Sequence, residues 1–84
     1  MNLLLKIGQQ IKDIRINKSL SVIELSTVLF GENTRNRLYN IENGKRGLTI
    51  QTLEKILETL NYDLVLVPKD KVEEVEKILN NDTK

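Results

Sequence analysis

At 84 residues the chain has room for one small domain, or one domain with a short appendage, and its core will be thin. It contains no Cys and no His, which removes disulfides and metal ligation as reinforcement, leaves oligomerisation as the expected source of extra stability, and fits a reducing compartment. The net charge of +1 is unevenly spread, with eight basic against four acidic groups in residues 1–47 and five against eight in 48–84, which suggests a basic face toward a polyanion; ordinary fluctuation between short segments is the alternative.

The N-terminal MNLLLKIGQQI is too short and too soon interrupted by charge for a signal peptide or a membrane span, so a soluble cytoplasmic protein without membrane partners is expected. Leu4, Ile7, Ile11 and Ile14 recur at three- and four-residue steps and predict an amphipathic helix over 3–17, ended by Asn17-Lys18-Ser19. Ser21 then stands where an N-cap belongs. Glu24 three residues later completes an S-x-x-E capping box ahead of Leu25, Val28 and Leu29, and this second helix stops near Phe30-Gly31. Thr34 is a candidate N-cap for a third helix with Leu38 and Ile41 inward, ending at Asn43-Gly44. Thr49 caps a fourth, with Leu53, Ile56, Leu57 and Leu60 inward and Asn61 closing it. At Tyr62 the period changes: Tyr62-Asp63-Leu64-Val65-Leu66-Val67 is β-branched and aliphatic and runs into Pro68, the pattern of a short strand. A lone strand needs a partner for its backbone groups, so Leu64, Val65, Leu66 and Val67 are expected to pair with the same segment of a second protomer. Asp70 is a candidate cap for a last helix over 71–80, with Val72, Val75, Ile78 and Leu79 on one face. The expected fold is all-α: four core helices in residues 1–61, then a dimerisation appendage of strand and helix in residues 62–84.

The third helix carries the chemistry. Asn36, Asn40 and Asn43 fall on the side away from Leu38 and Ile41, so amides face outward while aliphatics anchor the helix. Amide and guanidinium groups match the paired donors and acceptors on adenine and guanine edges in the major groove. Asn36 and Asn40 are the adenine-reading candidates and Arg35, at the N-terminal end, the guanine-reading candidate. Arg37 lies on the flank, within reach of a phosphate or of a base, and is assigned to phosphate. Ser21 and Thr34 at helix starts, and Asn43, Lys45 and Arg46 just beyond the third helix, are further phosphate candidates; capping alone also explains the two hydroxyl residues. Glu42 follows Ile41 near the inner face, where a carboxylate needs a partner, and Arg15 is the candidate; a simple exposed Glu is the alternative.

These residues resemble the phage-repressor and Cro type of helix-turn-helix, the Xre family. The likeness runs through IGQQIKDIRINKSLS, IELS, the glycine at the turn, LYNIENGKR and LTIQTLEKILETLNY, with I-E-N-G-K its most specific part. It implies an all-helical domain binding operator DNA as a dimer, base contacts from Arg35, Asn36 and Asn40, and a structural ion pair between Arg15 and Glu42. The chain departs from the family pattern at Val22, where Gln is usual, at Ser26, where a small Ala is usual, and by one extra residue within Glu32-Asn33-Thr34. The continuation LNYDLVLVPKD is similar to the HipB-like antitoxin subset, which implies a toxin protein as a partner and repression of the chain's own operon. An enzyme is the poorest reading: no His or Cys, no phosphate-binding glycine loop, and only the Glu73-Glu74-Glu76 run, which a solvated helix face explains. Neither cofactor nor metal is expected.

Overall fold

A computed structural model describes residues 2–31, 35–45 and 47–82. Its α-helices, in chain order, are α1 (Leu3–Asn17), α2 (Val22–Phe30), α3 (Asn36–Glu42), α4 (Ile50–Leu60) and α5 (Val72–Asp82), with a 3-10 turn at Lys69–Lys71 before α5. The fold is all-helical.

Local chemistry explains the helix boundaries. The Asn2 side chain accepts from the Leu5 N–H at 3.1 Å and starts α1. At α2 the capping box is complete: the Glu24 N–H donates to Ser21 Oγ at 3.0 Å, and the Ser21 N–H donates to Glu24 Oε1 at 2.9 Å. Thr49 accepts from the Thr52 N–H at 3.1 Å and starts α4. Three helices end on the paired bonds that close a helix through a left-handed residue. At α1 Leu20 N–H donates to the Arg15 carbonyl and Ser19 N–H to that of Ile16, with Ser19 at φ 58°. At α3 Lys45 and Gly44 donate to Asn40 and Ile41, and at α4 Tyr62 and Asn61 donate to Leu57 and Glu58, with φ of 67° at Gly44 and 64° at Asn61.

The third helix begins later than the sequence suggests. Arg35 occupies its N-cap position with helical backbone angles and makes no side-chain cap bond. Thr34, expected there, lies outside the described residues, as do Glu32, Asn33 and Arg46.

The core is Ile11, Leu25, Leu29, Leu38, Ile41, Leu53, Ile56 and Leu60, so each of the first four helices contributes; Ile7, Ile14, Leu20, Val22, Phe30, Leu48 and Leu57 pack around it. Helix α3 packs against α1 and α2, and α2 also packs against α4. Inside α2 the inward face is rotated from the aliphatic pattern: Val28 is exposed, whereas Ser26 is buried with no hydrogen-bond partner for its hydroxyl among the described residues.

The strand expected to pair across a dimer is not seen in the single chain, and one further expectation for residues 62–82 is corrected. No strand occurs among the described residues; 62–68 run without regular secondary structure, and Leu64, Val65, Leu66 and Val67 are all exposed. A strand is completed only by a ladder, and the single chain offers this segment no neighbouring edge. Asp70 does not cap α5 but sits inside the 3-10 turn that precedes it. In α5 Val72 and Val75 are half-buried and Ile78 is exposed; the Leu79 side chain lies outside the described residues. Among the described residues no helix is long and apolar enough to cross a membrane.

Candidate nucleic-acid interface

The position of α3 is decided mainly at its C-terminal end. Arg15, 7 % exposed, donates from Nε to Glu42 Oε2 at 2.7 Å and from Nη2 to Oε1 at 3.2 Å, while its Nη1 donates to the Leu20 carbonyl at 2.8 Å. Glu42 is 3 % exposed. One guanidinium therefore joins α1, the connection to α2 and the last residue of α3, and the two-pronged geometry satisfies a carboxylate that would otherwise be buried at high cost.

Two glycines bring the backbones together at the same end. A Cβ on Gly8, within α1, would overlap the carbonyl oxygen of Ile41 and come within 2.7 Å of that of Glu42, so α1 approaches the exit of α3 only because no side chain intervenes. Gly44 combines a left-handed conformation with an equally close neighbour, since a Cβ there would sit 2.5 Å from the Leu5 Cα. Helix α3 is thus fixed in depth and in rotation against α1.

That rotation sets what faces outward. Leu38, Ile41 and Glu42 are buried; Asn36, Tyr39 and Asn43 are exposed and Asn40 is half-buried. At roughly 100° per residue, Asn36, Asn40 and Asn43 form one outward strip, with Tyr39 along one edge and Arg37 along the other. The Asn43 side chain donates from Nδ2 to the Tyr39 carbonyl at 2.8 Å, leaving its carbonyl oxygen and second N–H for an external partner. Arg35 is exposed at the N-terminal end. The Arg37 guanidinium lies over the Phe30 ring, 4.0 Å from its centroid, so the last residue of α2 holds the flank of α3. A stacked guanidinium still presents its N–H edge.

The remaining anion-binding candidates are more dispersed. Lys45 is exposed just past α3, where its backbone N–H closes the helix. Ser21 is exposed, but its N–H is already taken by Glu24, which leaves its hydroxyl proton as the free donor. Glu24 itself is held below the ordinary carboxylate range, first by the Ser21 backbone N–H and then by the Ser21 side chain. Arg46 and Thr34 lie outside the described residues.

Three positions that matter here escape sequence reasoning. These are Gly8, Phe30 and Tyr39. The last has a signal in the sequence, since it shares the helical spacing of Asn36 and Asn43.

The family model described as helix-turn-helix matches residues 11–67. No curated protein and no solved structure matches the chain. The matched span takes in the Arg15–Glu42 pair, α2, α3 and α4 together. This is a family of DNA-binding regulators, not of enzymes. The chain belongs to the helix-turn-helix family of the Xre, phage-repressor type, and is a DNA-binding transcription regulator.

Proposed function

We propose that the protein is a sequence-specific repressor that binds an operator as a homodimer, reading bases through Arg35, Asn36 and Asn40. The observation that carries this reading is the outward amide strip of α3 on a helix clamped by Arg15, Glu42 and Gly8. A rigid helix presenting amides satisfies what direct readout of adenine requires. Ser21, Arg37, Asn43 and Lys45 serve as phosphate contacts that position without specifying, as do Thr34 and Arg46, which lie outside the described residues.

The dimer rests on residues 62–67 in the appendage 62–84. Leu64, Val65 and Leu66 are 59 %, 73 % and 90 % exposed, and an exposed aliphatic segment outside regular secondary structure is suited to pairing with its own copy. Two protomers then read half-sites about one helical turn, roughly 34 Å, apart.

Binding assays on an operator recovered by selection, and on random DNA, test the roles. Asn40→Ala is expected to relax specificity at one position by about 1–3 kcal/mol. Lys45→Ala should weaken both DNAs alike and reduce the salt slope by about 1. Equal losses on both DNAs for the two variants would overturn the roles.

The same exposed segment supports a second reading, an antitoxin whose residues 62–84 bind and neutralise a protein toxin while the helical part represses the operon. Truncation after Asn61 separates the two. Loss of dimerisation with weak residual operator binding favours the repressor; intact operator binding with loss of a protein partner favours the antitoxin.

A further inference from the structure

We propose that Tyr39 is a further specificity-determining residue, its ring packing against the C5-methyl group of a thymine beside the bases read by Asn36 and Asn40. The inference rests on the DNA-reading role of α3. The chain has three aromatic residues, and the other two lie near cations: Phe30 beneath Arg37, and Tyr62 with the Lys18 ammonium 5.9 Å from its ring centroid. Tyr39 instead is 54 % exposed in the middle of α3.

Position, more than exposure, carries the proposal, since single apolar groups on a surface need no explanation. Tyr39 lies one helical turn beyond Arg35, whose carbonyl accepts its N–H at 2.8 Å, and one turn before Asn43, whose amide donates to its carbonyl. It therefore stands at the edge of the strip that faces outward, between the arginine at the helix start and the amides. The rotation of α3 that buries Leu38, Ile41 and Glu42 cannot turn this ring inward without expelling the Arg15 pair. In the major groove the group that distinguishes thymine from the other bases by apolar contact is its methyl. Amides reading adenine beside a ring reading thymine make a module for A·T-containing steps.

The experiment uses the full chain and a duplex recovered by selection with the unaltered protein, in which each thymine is replaced in turn by uracil. Uracil removes the methyl and leaves the hydrogen-bonding edge intact. At one thymine per half-site the unaltered protein should lose about four-fold in affinity, the factor expected for one buried methyl group. Tyr39→Ala should bind the thymine and uracil duplexes equally, while Tyr39→Phe, which keeps the ring, should retain the four-fold preference. Matching uracil losses in the unaltered protein and in Tyr39→Ala overturn the proposal. So does a Tyr39→Phe loss as large as that of Tyr39→Ala, which assigns the residue to a phosphate through its hydroxyl. A selected site without an enriched thymine also overturns it while leaving DNA reading by α3 intact. Failure to select any sequence removes DNA reading itself and the proposal with it. Because the ring is outside the core, Tyr39→Ala should keep the unaltered circular dichroism spectrum, which separates lost contact from lost fold.

Discussion

Helix α3 and the segment 62–68 are both seven residues long and both carry aliphatic side chains, two in α3 and four in 62–68, yet the chain treats them in opposite ways. In α3 Leu38 and Ile41 are fully buried, and the helix exit is held by an ion pair and by two backbone approaches that tolerate no Cβ. In 62–68 Leu66 is 90 % exposed and no regular structure forms. A seven-residue helix would not persist in water by itself. The difference shows that α3 owes its conformation to tertiary contacts gathered at one end, whereas residues 62–68 have good strand-forming side chains and, among the described residues, no ion pair or glycine-dependent approach of that kind.

Breaking the clamp should give the largest effect. Glu42→Ala leaves the Arg15 guanidinium buried without its carboxylate, and urea unfolding followed by circular dichroism should show a loss of about 3–5 kcal/mol. A loss below about 1 kcal/mol would mean that the pair behaves as a surface ion pair. Gly8→Ala comes next. Its methyl meets backbone carbonyls that cannot swing aside, so about 1–3 kcal/mol should be lost, together with operator affinity, because α3 must shift to make room.

On the other side of the comparison, Leu66→Asp should change the unfolding free energy by less than about 0.5 kcal/mol at concentrations where the protein is monomeric. Sedimentation at higher concentration should then show the variant monomeric and the unaltered protein dimeric. A core that melts with Leu66→Asp would place this segment within the cooperative unit. The smallest effect concerns Glu24. Its folded-state pKa is depressed, so its contribution is fully present above the ordinary carboxylate range and is lost as pH falls through the lowered value. Glu24→Gln should remove that part of the acid dependence in a pH series of melting curves and leave the remainder.

Elements with a local cause could be read from the chain alone. The Ser21 box, the Thr49 cap, the stops at Ser19 and Asn61 and the aliphatic spacing of α1 each need only a few adjacent residues, and each appears where the spacing predicts. What depends on distant neighbours could not be read this way. Whether Ser26 or Val28 turns inward is a choice of a fraction of a helical turn, settled by how α2 meets α3 and α4. The close approach at Gly8 and the Phe30 ring under Arg37 are contacts between separate helices, invisible to any periodicity. The expected strand failed within the single chain for the same reason, since a ladder is a property of two segments. Of the interface, the outward amides were legible from the spacing of Leu38 and Ile41, while Arg35 sits one position earlier relative to the helix than expected because α3 starts at Asn36.

The Phe30–Arg37 stack bears on the length of the link between α2 and α3. With the exit of α3 held through Arg15 and Gly8 and its flank held by a ring at the end of α2, the outward face of α3 is set by contacts between helices. Under the proposed reading, inserting one residue between Gly31 and Arg35 is therefore expected to leave the DNA sequence recovered by selection unchanged.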